Sequence, residues 1–183
     1  MITINGLYYK MAGAGAGILF VEVQSKSVLA GFHPKLNRLS GFGGKSHGEE
    51  KSEQTAVREV VEELFGVFNL APEHIQAFAD ELGSPRVYDG YSLFVEPIET
   101  VFKLSAFLSK NGYFSPFYNQ LPLSVSELIY HRILSKTTEV TDISLFALRD
   151  IGDMRHALTP EFYADLTTLS LKPAPSASGA FPV

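Results

Sequence analysis

Gly44-Lys45-Ser46-His47-Gly48-Glu49-Glu50 and, eight residues beyond Glu50, Arg58-Glu59-Val60-Val61-Glu62-Glu63 form the stretch on which the reading of this chain turns. Ser52–Leu64 reads as a helix. Ser52 serves as its N-cap, and Glu53 in the first turn suits the positive end of the helix dipole. Val57, Val60, Val61 and Leu64 recur at helical spacing and make one apolar stripe. Glu59, Glu62 and Glu63 fall together on nearly the opposite side, at positions that neighbour one another along a helix.

That arrangement is poor for bare stability. Each like-charge pair at this spacing costs about 0.2–0.5 kcal/mol. Glu62 and Glu63 also sit in the last turn, the unfavourable end of the dipole for anions. Arg58, one turn before Glu62, relieves part of the repulsion, and no lysine shares the acidic face. A hard divalent cation would relieve the rest, because Mg²⁺ takes oxygen ligands and is held by one or two carboxylates together with substrate phosphates. The competing reading of three glutamates alone is a solvated acidic face. Gly41-Phe42-Gly43-Gly44-Lys45 shifts the balance toward a site: it reads as a strand end running into a tight glycine turn, which brings a backbone carbonyl close to the carboxylates.

The complete pattern resembles the Nudix box, G-x5-E-x7-R-E-U-x-E-E-x-G-U with U a bulky aliphatic, across Gly44–Gly66. Several fixed positions at fixed spacings are far more specific than a lone glycine-rich loop. The resemblance implies a Nudix hydrolase: an α/β fold, an α/β/α sandwich with a mixed β-sheet, over about residues 3–155. It implies Glu59 and Glu63 as principal ligands of Mg²⁺ or Mn²⁺, Glu62 as a further or water-bridged ligand, and Gly43 as the carbonyl donor. It implies a supporting salt bridge from Arg58 to Glu50 and a phosphate-side role for Lys45. The run Gly41–Lys45 is also similar to members that cleave oxidised nucleotides. The chain departs from the pattern in two places. Leu64 and Phe65 both precede Gly66, an insertion of one residue, which leaves Gly66 as the C-cap of a slightly longer helix. Gly48-Glu49 competes with Glu50 for the first box glutamate, and the spacing to Arg58 selects Glu50.

Cleavage of a phosphoanhydride needs an activated water, neutralised phosphate oxygens and a stabilised leaving group, which bound metal ions supply. A carboxylate then takes the proton from water. In Nudix enzymes that base is a box glutamate or an acid from a later loop. Glu139 is the first candidate and Asp142 the second, because Asp142–Ile151 resembles the family's final strand. Glu127 has a structural explanation in the capping box Ser124-x-x-Glu127. Glu96, before Pro97, reads as a strand-end charge.

The 183 residues suffice for one domain, taken as 1–171, and 45% hydrophobic content supports a core without disulfides. The absence of cysteine excludes disulfides, thiol catalysis and cysteine-ligated metal sites. It fits a cytoplasmic protein. Met11–Val23 superficially resembles a signal segment, but it lacks a basic flank and Glu22 interrupts it; a buried strand fits better. Its glycines fail the dinucleotide fingerprint, since Ile18 takes the last glycine's place. A net charge of −5 argues against a broad nucleic-acid surface, and the five histidines form no metal-spaced pair.

Outward from the box, Gly17–Val23 and Val28–Phe32 flank Gln24–Ser27 as a hairpin. Leu39–Phe42 leads into the box. Ile75–Leu82 and Val87–Val95 read as strands about a turn at Gly83–Arg86, with Asp89-Gly90 a bulge or second turn. Ile98–Leu108 and Ser124–Leu134 look helical, within an insertion at about 99–136 that precedes a final strand, Asp142–Leu148. Thr159-Pro160-Glu161 starts a terminal helix over Phe162–Leu169. Lys172–Val183 reads as a disordered tail.

The box specifies chemistry rather than substrate. Tyr113, Phe114, Phe117 and Tyr118 in the insertion either stack on a base or close the core over it. Arg86, Tyr88 and Lys45 are candidate phosphate or base contacts. The expected activity is cleavage of a nucleoside diphosphate joined to another group, such as a modified nucleoside triphosphate. A cap-type RNA enzyme, reading RNA through Lys103, Lys110, Arg132 and Lys136, is the first alternative, and a non-catalytic nucleotide-binding regulator the second. A homodimer is compatible with either.

Overall fold

The glycine-punctuated segment Gly15–Glu22 forms the strand around which the sheet is built. In the computed structural model, which describes residues 2–4, 7–9, 14–133 and 138–170, the elements run β1 (Ile2–Ile4), β2 (Leu7–Tyr9), β3 (Gly15–Glu22), β4 (Ser27–His33), β5 (Arg38–Ser40), β6 (Phe42–Lys45), α1 (Ser52–Phe65), α2 (Pro72–Ala79), β7 (Arg86–Tyr88), β8 (Tyr91–Pro97), α3 (Glu99–Lys110), α4 (Val125–Tyr130), β9 (Asp142–Ala147), α5 (Ile151–Met154) and α6 (Pro160–Ser170). β1 and β2 form their own antiparallel ribbon. The other strands form one mixed sheet, order β5-β4-β3-β8-β7, with β6 added to β3 and β9 to β4.

β3 pairs in parallel with β8 from Gly15 to Val21. Its other edge is shared: Gly15–Ile18 bond β6, and Val21–Glu22 bond β4. β4 changes partner likewise, since β9 occupies one edge while β3 and β5 divide the other. The sheet therefore forks where the β3 ladder passes from β6 to β4.

Both faces of the sheet are covered, which explains why the central strands read as continuous apolar runs. Ile18, Phe20, Leu29 and Phe94 face Val57, Val60, Val61 and Leu64 of α1, together with α2, α3 and Leu128 of α4. Leu19, Val28, Ala30 and Leu93 face Ile151, Leu158, Phe162 and Leu166 beneath α5 and α6. This is the α/β/α sandwich with a mixed sheet that the box resemblance implies.

Several local expectations change. Ile75–Leu82 is not a strand: helix α2 occupies Pro72–Ala79, with the proline in its first turn. Ile75, Phe78, Ala79 and Leu82 follow the i, i+3, i+4, i+7 pattern of a helix face, and all four pack on the first core. Of the two readings of Asp89-Gly90, the second turn holds and the bulge does not: it closes a β7–β8 hairpin with φ of 46° and 81°, so Val87–Val95 is two strands. Positive φ at both central residues is the demand of a two-residue hairpin turn, which Asp-Gly meets. Helix α1 starts at Ser52, so Lys51 and not Ser52 is the N-cap; the Lys51 N–H donates to Gln54 Oε1 at 2.9 Å. Phe42–Lys45, within the expected Gly41–Lys45 turn, is an extended strand paired with β3 rather than a tight turn. Ser124 does cap α4, which ends at Tyr130 rather than Leu134, while Glu127 receives the Leu123 N–H. Thr159 Oγ1 accepts the Phe162 N–H at the start of α6. Residues 134–137 and 171–183, with the end of the expected insertion and the expected tail, lie outside the described residues.

Candidate active site

Helix α1 lies across β3 and β6 with its valine stripe fully buried, so its acidic edge is held against the β6 backbone. Arg58 organises that edge. Its Nε and Nη2 donate to the two Glu50 carboxylate oxygens at 2.8 and 3.1 Å. Nη1 donates to Glu59 Oε1 at 2.8 Å and Glu62 Oε2 at 3.4 Å, and Nη2 also reaches the Lys45 carbonyl at 2.9 Å. Arg58 and Glu59 are only 11% and 15% exposed, so these bonds are poorly screened. Of the two adjacent glutamates, Arg58 thus takes Glu50, which also accepts from the His47 N–H and the Thr55 hydroxyl.

The carboxyls differ in protonation as their surroundings do. Burial works to raise the Glu50 pKa, but the bonds from Arg58, His47 and Thr55 hold it below the usual carboxylate value. Burial raises Glu62, opposed by Arg58 and reinforced by Glu59. Glu63 is raised much further: desolvation dominates, the Gly43 N–H bond at 2.9 Å opposes it, and the charges of Glu59, Glu139 and Glu62 add to it. For Arg58 burial is likewise the largest influence, and the carboxylates overcome it and raise its pKa.

Glycine at position 44 makes room for this packing. A Cβ there would land on the Glu59 carboxyl group. Among the described residues, no three of His, Asp and Glu stand ready as a metal cage, because Glu59 is turned to Arg58 and Glu63 to the Gly43 N–H. The donor chemistry nonetheless suits a hard cation: three converging carboxylates offer oxygen alone, and their mutual repulsion is the load such an ion would lift.

Gly43 also lines a cavity of about 660 Å³, within the size range of small-molecule pockets, to which Glu50, Glu59, Glu62 and Glu63 do not contribute. Tyr88, Tyr91, Phe162 and Tyr163 supply aromatic walls, and Arg38, Arg155, His156 and Asp165 the polar groups. Tyr88 donates a hydrogen bond to Asp165 Oδ1. Desolvation raises the Asp165 pKa to about 6, the Tyr88 bond opposing it and Glu161 adding to it. Burial and then the Asp165 charge push the Tyr88 hydroxyl up, and Tyr91 likewise.

The structure thus gathers Gly43, Glu50, Arg58, Glu59, Glu62 and Glu63. Glu139 stands nearby, its Oε1 3.0 Å from His33 Nε2. Asp142 opens β9 and accepts from the Thr141 hydroxyl. Glu96 accepts the Gly83 N–H, a structural bond. Lys45 is exposed at the end of β6 and does not line the cavity. Arg86 does not line it either; its Nη1 is buried without a hydrogen-bond partner among the described residues. Tyr88 does line it. In the insertion, Phe117 and Tyr118 are core residues and the Tyr113 hydroxyl engages Ala71 and His74, so packing consumes three of the four candidate stacking rings. Phe114 is 88% exposed. Of the bases proposed to meet RNA, Arg132 is buried and Lys136 lies outside the described residues.

Sequence reasoning missed Tyr91, Asp165, Arg155 and His156. Asp165 left a signal: it occupies the buried face of α6, set by Phe162, Leu166 and Leu169, where an aspartate is out of place.

No protein-family model matches the chain, and no curated protein sequence matches it. Among solved structures it is similar to a bifunctional NMN adenylyltransferase/ADP ribose pyrophosphatase from Francisella tularensis, complexed with AMP and a manganese ion, at 14% identity and a TM-score of 0.50. That match covers 88% of this chain and 42% of the bifunctional protein, so the chain spans less than half of its neighbour's length. A Nudix-family hydrolase from Clostridium perfringens (14% identity, 87% and 98% coverage) and a C. elegans Ap4A hydrolase (13%, 85% and 95%) align with TM-scores of 0.40 and 0.43, too low to carry an argument. At 14% identity the likeness to the bifunctional protein is one of fold alone. No helix among the described residues is long and apolar enough to cross a membrane.

Proposed function

We propose that the chain is a Nudix hydrolase that cleaves the pyrophosphate bond of a small nucleotide, a nucleoside diphosphate joined to a further group. One observation carries the reading. A single arginine, Arg58, binds Glu50, Glu59, Glu62 and the Lys45 carbonyl together, while Glu63 on the same helix accepts from the N–H of Gly43, a residue that lines the cavity. A solvated acidic face would have no use for such an anchor.

Glu59, Glu62 and Glu63, with the Gly43 carbonyl, would hold Mg²⁺ or Mn²⁺. Held there, such an ion would supply a lowered water pKa and neutralisation of phosphate oxygens. Arg58 and Glu50 fix the helix so that these carboxylates keep their positions. Glu139 takes the proton from the attacking water at its carboxylate, with His33 orienting it. The cavity holds the nucleoside part against Tyr88 and Tyr91, and Lys45, exposed at the end of β6, meets phosphate. Burial of Arg132 weakens the RNA-end alternative, which needed that residue on the surface.

The test incubates purified protein with Mg²⁺ or Mn²⁺ and a panel of nucleoside triphosphates, dinucleoside polyphosphates, ADP-ribose, NADH and capped RNA. Turnover of one class, abolished in Glu63→Gln and lowered at least about 100-fold in Glu139→Gln, is expected. Nucleotide binding without turnover of anything in the panel would instead make the chain a regulator.

A further inference from the structure

Among the described residues, Arg132 is the charged residue with the least exposed surface, 9%. Its guanidinium donates five hydrogen bonds. Nε reaches the Thr141 carbonyl at 3.1 Å; Nη1 reaches the Leu64 carbonyl at 2.7 Å and the Tyr118 hydroxyl at 3.2 Å; Nη2 reaches the Glu63 and Val140 carbonyls, both at 2.9 Å. All five acceptors are neutral oxygens. Its flat face lies 4.6 Å from the centre of the Phe117 ring. A buried cation without a counter-ion is an expensive element unless its surroundings replace water's dipoles. Here they do so in part through the C-terminal carbonyls of α1, the negative end of that helix.

The five bonds join two particular stretches of backbone. Glu63 and Leu64 form the last turn of the box helix. Val140 and Thr141 directly follow Glu139, whose charge is near enough to act on Glu63. A planar five-donor fork is the side chain suited to hold four carbonyls from two segments at once.

We infer that Arg132 is a positioning residue: by tying the Glu63–Leu64 carbonyls to the Val140–Thr141 carbonyls it sets the placement of Glu139 relative to Glu63. This assigns a task to the segment between α3 and β9, which brings Arg132, Phe117 and Tyr118 to that junction. The inference rests on the hydrolase reading for its catalytic consequence, but not for the structural tie.

Arg132→Lys keeps the charge and loses the fork. Hydrogen exchange should show the Gly66 and Val67 amides, which donate to Glu62 and Val61, losing protection together with the Thr141 amide, which donates to Phe32. In the assay, well below the melting temperature, kcat should fall about 10- to 100-fold, the scale of a small misplacement, with KM within about twofold. Glu139→Gln should then cost much less in the Arg132→Lys background than in the parent, because both act on one step. A folded Arg132→Lys protein with kcat within about twofold of the parent, or losses that multiply independently, overturns the inference. If the parent turns over no substrate, the hydrolase reading has failed, and exchange alone decides: unchanged Gly66 and Val67 beside a loosened Thr141 overturns the tie. If Arg132→Lys does not fold, Tyr118→Phe, which removes one acceptor and keeps the ring, should give the same paired pattern at smaller amplitude, and its absence there overturns the tie as well.

Discussion

At the residue scale the site is a matter of which acid meets which partner. Spacing chose Glu50 over Glu49, and Arg58 bonds Glu50 through both of its oxygens. Glycine 44 is as specific: Gly44→Ala should leave the fold intact and lower kcat, since the new methyl displaces the Glu59 carboxyl, and a kinetic comparison with the parent checks it. Asp165 gives a pH test. Its folded pKa of about 6 lies above its ordinary value of 3.8, so the folded state holds the proton more tightly. Stability is therefore unpenalised below about 3.8, falls as pH rises toward 6, and carries the full penalty above that. Asp165→Asn should stabilise the protein by on the order of 1–3 kcal/mol at pH 7.5 and hardly at all at pH 3.5. Urea unfolding at both values decides it, and an equal gain at the two would refute the account.

At the scale of elements, legibility followed periodicity. Helix α1 was readable because its valines repeat at helical spacing while its acids oppose them. The β3–β4 hairpin and the threonine-capped α6 were readable from turn and cap residues. Helix α2 is hard to read because Ile75, Phe78 and Leu82 also fit a short apolar run; the signal that separates helix from strand is Pro72 and Glu73 in its first turn. The wall of the cavity was illegible for a different reason: Tyr91 and Asp165 meet only when the sheet and α6 are packed together, and no local pattern announces that meeting. Arg132 could not be told from a surface base by composition. Gly66 ends α1 in a left-handed conformation, φ 69°, as its place after the box suggested. Gly66→Ala should cost about 1 kcal/mol or more, because that φ disfavours a side chain and the Cβ would press on Pro116 and Phe117. A thermal melt below that loss would mean the junction yields.

At the scale of the whole molecule, β3 is the common wall of two cores. Ile18 and Phe20 serve one, and Leu19 between them serves the other. Neither core can dissolve without exposing the back of the other. Thermal unfolding should therefore be a single transition with calorimetric and van't Hoff enthalpies in agreement, and a resolved second peak in calorimetry would refute it. The same architecture explains how a fold persists at 14% identity: the paired faces of the sheet ask only for apolar volume, while the box asks for particular side chains at particular spacings.

The cavity beside Gly43 has a practical consequence. Three of the chain's eight tyrosines, Tyr88, Tyr91 and Tyr163, line it, and the chain has no tryptophan to drown their emission. Entry of a nucleotide, if the proposed function holds, would therefore be readable by intrinsic fluorescence in unlabelled protein, with phenylalanine replacements assigning the signal ring by ring.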